Sequence, residues 1–147
     1  MREILFRGKR LDNGEWMEGS LMKVTVAERT YYLIFGDGFA YDSETMKALA
    51  HACVDPDTVG QYIGMNDKNG KRIFEGDVVA QNWYSYNEPT NDSFGEVLFC
   101  ESDCSFSVLD VERREVDALG RCGEYHWEIE VVGNIHDNPE LLEARHE

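Results

Sequence analysis

The chain has 147 residues, of which 42% are hydrophobic and 12% aromatic, and its formal net charge is −15. Such a composition supports a packed core in one domain or two small ones, which excludes a wholly disordered protein. No apolar run approaches the ~20 residues that cross a bilayer, and the N-terminus lacks the apolar core of a secretory signal. We therefore expect a cytoplasmic protein that does not contact membranes.

The negative charge is concentrated in the C-terminal part. Residues 85–147 hold 16 acidic and 4 basic residues, a net charge of −12, whereas residues 1–84 hold 13 and 10. Because such an excess of acid repels phosphate, direct binding of nucleic acid is not expected. The charge favours either simple solubility or a surface for a basic partner.

The N-terminal third reads as two β-hairpins. Residues 3–21 form the first, with a type I′ turn predicted at Asn13-Gly14. Residues 21–35 form the second, in which residues 27–30 connect two β-branched and aromatic runs. Residues 42–52 have the apolar spacing of a short helix.

The middle of the chain is dense in turn signals. Residues 59–64 alternate as a short strand, and residues 67–70 (DKNG) predict a tight turn with Gly70 at positive φ. Residues 73–81 read as strand, with a turn signal at Glu75-Gly76-Asp77 after which Val78-Val79 open a new strand. Residues 80–94 then read as a long loop. Its Trp83, Tyr84 and Tyr86 could form an exposed binding patch of the kind found at interfaces, or one or two of them could fold back onto the protein.

The C-terminal part alternates between strands and turns. Strands are predicted at residues 95–99, 105–109 and 126–132, a charged loop or short amphipathic element at residues 110–122, and a terminal helix at residues 139–144. Trp127, Ile129 and Val131 share one face of the last strand. Short strands joined by glycine-rich turns predict a mainly β, β-rich α+β fold.

Four cysteines, Cys53, Cys100, Cys104 and Cys122, are expected to be reduced in the cytoplasm. Cys100 and Cys104, together with Cys122 and His126, have an acceptable spacing for zinc. Cysteine is also a common small core residue, and we predict no metal and no cofactor here.

Catalytic motifs are not found in the sequence. His51 lies two residues from Cys53, which alone does not make a dyad, and neither a nucleophile elbow nor a phosphate-binding glycine loop is present. Glu128 and Glu130 share a strand face and read as solvated side chains rather than an acid–base pair. We therefore expect a protein that is not an enzyme.

Three segments carry a resemblance that spans nearly the whole chain. They are residues 54–79 (VDPDTVGQYIGMNDKNGKRIFEGDVV), residues 6–10 (FRGKR) leading to 14–19 (GEWMEG), and residues 131–135 (VVGNI) followed by 138–142 (NPELL). In these segments the chain resembles the YopX family of phage and prophage proteins. The resemblance implies a β-rich protein with an SH3-like barrel and no assigned catalytic residues.

These observations predict a β-rich N-terminal subdomain at residues 1–58 and an acidic SH3-like barrel domain at residues 59–147. The expected function is a phage or prophage accessory protein that acts as a non-enzymatic protein-interaction module and that could also form a homo-oligomer. Two alternatives are an acidic decoy on the nucleic-acid-binding surface of a partner, and a Cys/His metal protein or enzyme.

Overall fold

The computed structural model describes residues 1–36, 51–85, 88–119 and 126–143, with the backbone alone at residues 85, 88–91 and 126. These residues fall into two compact units, 1–62 and 63–147. The division lies within strand β5, Gly60–Asn66. The predicted helix at residues 42–52 lies, but for its last two residues, outside the described ranges.

The first unit is an antiparallel sheet in the order β4-β3-β2-β1-β5. Its strands are β1 Phe6–Lys9, β2 Trp16–Val26, β3 Arg29–Phe35 and β4 Cys53–Val54, with a 3-10 turn at Pro56–Thr58 before β5. Ile34 and Val54 are almost fully buried. Gly8 lets β1 lie against them, since a Cβ there would be 3.0 Å from Val54. The predicted hairpins are both present.

The turn between β1 and β2 differs from the predicted type I′ turn. Gly14 has a φ of 73°, but Asn13 does not take positive φ, which a type I′ turn would require. The backbone N–H of Arg10 donates to Glu15 O at 2.9 Å, and Asn13 Oδ1 accepts from the N–H of Glu15 at 2.9 Å. The asparagine side chain thus closes a wider loop, so the prediction was wrong in type.

The two-residue turn instead joins β2 to β3. Val26 pairs with Arg29, and the connecting Ala27 and Glu28 have φ values of 49° and 66°. Positive φ at both central positions is typical of a type I′ turn, which asparagine and glycine usually supply. This hairpin therefore holds two ordinary L-residues in the left-handed region.

The second unit is built on an antiparallel sheet in the order β10-β9-β8-β7-β11. Its strands are β7 Asp77–Ser85, β8 Glu88–Cys100, β9 Ser105–Asp110, β10 Val116–Ala118 and β11 His126–Asn134. The end of β5 pairs with β6, Arg72–Phe74. Apolar side chains from both parts form one core: Ile63, Ile73, Val79, Val97, Val108 and Ile129.

The mainly β class predicted from the sequence is confirmed. Pairing among the described residues leaves β10 and β11 as the two outer strands of the five-stranded sheet. The sheet is therefore open, and the predicted SH3-like barrel is not closed in the described part of the chain.

The turn predicted at residues 75–77 is present and divides the run of residues 73–81 into two strands. Gly76 turns the chain with a φ of 88°, and Asp77 Oδ2 accepts from the N–H of Phe74 at 2.8 Å, so β6 ends at Phe74 and β7 begins at Asp77. The predicted loop at 80–94 is wrong, because β7 and β8 run through it as a hairpin with Gln81 opposite Ser93. The polar residues of this segment therefore lie within the paired strands β7 and β8 and not in a loop.

The last described residues form a turn and a short helix after β11. Strand β11 shifts register between Val131 and Gly133, and a turn stabilised by Asn134 leads into the short helix α1, Glu140–Glu143. A Cβ at Gly133 would lie 2.6 Å from both Asn138 Oδ1 and Leu141 Cδ1, so a larger residue here would force these two side chains to move. No helix in the described ranges is long and apolar enough to span a membrane.

Candidate functional site

The predicted aromatic residues do not form one patch in the described part of the chain. Trp83 and Tyr84 are consecutive on β7, both half-buried, and consecutive strand residues point to opposite faces. Trp83 pairs with Trp127 on β11, whereas Tyr84 pairs with His126. Tyr86 lies outside the described residues. Whether these residues bind a partner stays a prediction.

A buried polar network fixes the strands beneath Trp83. The fully buried Gln81 accepts from Trp127 Nε1 at 2.9 Å and donates from Nε2 to Ser93 Oγ at 2.9 Å and to Ala118 O at 3.2 Å. A buried amide is costly unless its donors and acceptor are satisfied. The network therefore connects β7, β8 and β11 with the end of β10.

A pocket opens on the opposite face of this sheet. We call it the Glu96 pocket; its cavity of about 140 Å³ is lined by Glu96, Leu109, Asp110, Val111, Arg114 and Leu142. Since Val97 belongs to the core, its neighbour Glu96 points away from the core, between Val78 and Leu109 on the flanking strands. The size resembles the ~150 Å³ cavities that hold one small apolar group.

The Glu96 carboxylate has an unusual environment for an acid. Burial raises the pKa of Glu96. Among the described residues, no hydrogen bond or ion pair reaches this carboxylate. A carboxylate in such surroundings gains more than an exposed one from an incoming donor or cation, because water compensates it less.

The neighbouring carboxylate, Asp110, has the opposite environment. Burial works against its charge, but hydrogen bonds from the N–H groups of Arg113, Phe94 and Glu112 and the charge of Arg113 lower its pKa. Asp110 is therefore ionised and committed to the turn after β9. In that turn, Arg114 takes a φ of 57° and donates its N–H to Asp110 O at 2.9 Å.

The turn at Asp67 is also held by backbone N–H groups that donate to a carboxylate, and it contacts β11. Asp67 Oδ1 accepts from the N–H groups of Asn69 and Lys71, both at 2.9 Å, and Oδ2 accepts from the N–H of Val131 at 3.0 Å. The N–H of Lys68 donates to Ile129 O at 2.9 Å. Gly70 has a φ of 83°, as predicted. The turn is thus bonded to the outer side of the last strand.

The Cys/His set is only partly described. Cys100 is half-buried and Cys104 is exposed, on either side of the turn between β8 and β9, whereas Cys122 lies outside the described residues. No group of three or more His, Cys, Asp or Glu in the described ranges could hold a metal ion. The absence of zinc therefore stays a prediction.

His51 engages an acid in the first unit. Its Nδ1 lies 2.7 Å from Asp12 Oδ2, and Arg10 donates to the same oxygen at 2.6 Å. Hydrogen bonds from His51 and Arg10 lower the pKa of Asp12. The cluster is exposed to solvent, so it is a surface contact that joins the turn after β1 to the residue pair just before β4.

A match to a known protein family shows to which family the chain belongs. The model of the YopX protein family matches residues 5–143. The chain belongs to the YopX family. The YopX match includes every residue of the Glu96 pocket as well as Trp83, Tyr84 and Tyr86.

Among solved structures, the chain is similar to the crystal structure of protein EF1440 from Enterococcus faecalis, with 21% sequence identity and a TM-score of 0.47. The similarity covers 97% of this chain and 99% of that chain. No curated protein matches the chain. Membership of the YopX family therefore rests on the match of the family model to residues 5–143.

Sequence reasoning missed the Glu96 pocket. One signal was present, because Glu96 is a charged residue within the run of residues 95–99 (GEVLF) that was predicted as a strand. The apolar walls could not be found in this way, since Val111 and Leu142 come from a turn and a helix distant in sequence. Only the folded chain brings them to Glu96.

Proposed function

We propose that this YopX protein is a phage or prophage accessory protein that acts as a non-enzymatic interaction module. Its second unit binds a basic surface of a protein partner. The observation that carries the proposal is the charge of this unit, in which residues 63–147 hold 19 acidic and 7 basic residues, a net charge of −12. A field of this size attracts basic partners and accelerates their association.

The acid is locally uncompensated in the turn after β9. Residues 110–117 (DVERREVD) hold four acids and two arginines, and we call this segment the acidic turn. Arg113 is shared by two carboxylates, with Asp117 at 2.5 Å and Asp110 at 3.4 Å. Glu112 and Glu115 are exposed, and the apolar Val116 beside them is 45% exposed. Exposed acid beside apolar surface suits a partner whose contact surface is both basic and apolar.

The test is a pull-down from host lysate with immobilised protein, comparing wild type with Glu112→Gln/Glu115→Gln. The control variant, Glu15→Gln/Glu28→Gln, removes the same charge from exposed positions of the first unit. We expect a basic partner that is recovered at low salt, lost at high salt, and reduced only by the acidic-turn variant. Equal recovery with all three proteins, or recovery of acidic proteins only, would contradict the proposal.

A second candidate is a decoy that occupies the nucleic-acid-binding surface of its partner, and it is favoured by the same net charge of −12. Such a partner would be displaced from the immobilised protein by duplex DNA at moderate salt, since both ligands would use one basic surface. A partner that binds DNA and this protein simultaneously would exclude the decoy and leave the interaction module standing.

A further inference from the structure

Glu96 is half-buried in the Glu96 pocket, and no described residue hydrogen bonds or pairs with its carboxylate. The surrounding walls are largely apolar, with Leu109 from β9, Val111 from the turn and Leu142 from α1. Any molecule that enters this pocket therefore meets largely apolar walls and one negatively charged hydrogen-bond acceptor, the Glu96 carboxylate.

The complementary ligand has two parts. An apolar stem would cover the leucine and valine side chains, and a cationic donor would compensate the carboxylate. Lysine and arginine side chains have this construction, because a chain of methylene groups carries the charged head. A cavity of about 140 Å³ has room for one such side chain end.

We propose that the Glu96 pocket receives one lysine or arginine side chain of the protein partner, whose head pairs with the Glu96 carboxylate while its stem packs on Leu109, Val111 and Leu142. The proposal rests on the proposed function, and it converts a general attraction for basic surfaces into a defined site. Long-range charge would bring the partner close, and this pocket would select an exposed lysine or arginine.

The charges of Arg114 and Asp110 bear on whether the pocket favours a cationic or an anionic ligand. Asp110 is already engaged by backbone N–H groups and by Arg113, so it adds negative charge without needing a ligand. Arg114 is the one cation among the six lining residues, against two carboxylates. The lining therefore has a net negative charge, which favours a cation over an anion.

A small probe tests the pocket without knowledge of the partner. Nα-acetyl-lysine N-methylamide is titrated into ¹⁵N-labelled protein, and amide shifts are followed by NMR. We expect saturable shifts centred on the pocket residues, and weaker binding of the uncharged norleucine analogue by about tenfold, the usual value of a charge-assisted hydrogen bond. The acetylated glutamate analogue should not bind.

Three variants locate the interaction. Glu96→Gln keeps the shape and removes the charge, so the affinity for the lysine probe should fall about tenfold. Glu101→Gln removes the same charge from an exposed turn position and should leave the affinity unchanged. Arg114→Gln should tighten the lysine probe, because it removes the cation that opposes the ligand. Urea unfolding of each variant verifies that it is folded.

Several results would overturn the proposal. These are equal affinity of wild type and Glu96→Gln, equal affinity of the lysine and norleucine probes, or tighter binding of the glutamate probe that is lost in Arg114→Gln. They are distinguishable from failure of the proposed function. If Glu96→Gln loses the probe but still recovers the basic partner from lysate, the pocket is not the partner's site and the interaction module stands.

Discussion

At the residue scale, the carboxylate of Asp67 connects parts of the second unit that lie far apart in sequence. Its two oxygens accept from Asn69, Lys71 and Val131. Asp67 is only 8% exposed. Burial opposes the charge, but the three backbone N–H groups and the charge of Lys71 lower the pKa of Asp67 below its ordinary 3.8.

This lowered pKa predicts how stability depends on pH. A carboxyl group that is more acidic in the folded state stabilises the fold fully above its unfolded pKa, and the contribution is lost as the pH falls through its folded pKa. Asp67→Asn should therefore destabilise the protein by about 1–3 kcal/mol at pH 7, measured by urea unfolding, and by much less near pH 2.

Asp57→Asn is the matched control, because Asp57 is an exposed acid whose carboxylate accepts no hydrogen bond from the described residues. Its stability should follow wild type at both pH values. A constant difference between wild type and Asp67→Asn from pH 7 to pH 2 would show that the charge of Asp67 has no role.

Gly70 permits a test of the same turn through the backbone. Its φ of 83° is unfavourable for side chains, and a Cβ there would meet nothing within 4 Å, so any cost is conformational. Gly70→Val should lower the free energy of unfolding by more than about 1 kcal/mol.

The control for Gly70 is a pair of alanine variants. Gly36 does not take positive φ, and a Cβ there would contact Glu18 O at an ordinary 3.5 Å. Gly36→Ala should therefore cost less than Gly70→Ala. An unchanged melting temperature in Gly70→Val would contradict the account of this turn.

Zinc content tests the remaining residue-scale prediction. Protein purified without added metal should contain no stoichiometric zinc by elemental analysis, because both thiols make hydrogen bonds within the turn. Cys100 Sγ lies 3.1 Å from Ser102 Oγ, and Cys104 Sγ donates to Glu101 O at 3.5 Å. One equivalent of zinc that is lost in Cys100→Ser/Cys104→Ser would overturn it.

At the element scale, the β2–β3 hairpin has an unusual turn. Ala27 and Glu28 both take positive φ, which costs roughly 1–2 kcal/mol for an L-residue. Ala27→Asn/Glu28→Gly supplies the preferred residues and should raise stability by about 1 kcal/mol, seen as a melting temperature a few degrees higher. As a control, Ala27→Ser keeps an L-residue at positive φ and should not raise the melting temperature. An equal melting temperature in wild type and both variants would refute the turn assignment.

The β7–β8 hairpin shows where sequence reasoning stops. The Asn, Ser, Pro and Asp residues of 80–94 are typical of loops, and they outnumber the strand-favouring Trp83 and Tyr84, so a loop was predicted. In the fold, Gln81 and Ser93 satisfy each other inside the sheet, a contact between residues 12 positions apart. Periodicity reports whether a position is apolar, and it cannot report that a polar side chain has a buried partner.

Local signals served better wherever the chain determines its own path. The turn at Gly70, the strands before and after the β8–β9 turn, and the apolar face of β11 were all predicted from neighbouring residues. The Glu96 pocket was not, because three elements separated in sequence create its low polarity. The acid could be seen in the sequence, but its environment could not.

At the scale of the whole molecule, charge dominates the expected behaviour. The net charge of −15 makes a close approach to nucleic acid unfavourable. We predict no shift of duplex DNA in a gel at physiological salt, since few basic contacts exist to release counterions. A basic DNA-binding protein serves as the positive control. A retarded band that disappears at high salt would contradict the prediction.

The Asp67 turn has one more consequence for the molecule in solution. An outermost strand presents unpaired N–H and C=O groups that can recruit the same strand of another molecule, which begins ordered aggregation. By bonding Val131 N and Ile129 O, the turn occupies two of those groups on β11. Asp67 and Lys68 therefore leave fewer free backbone groups on this edge for another chain to pair with, and the negative charge of this unit further opposes contact between two copies.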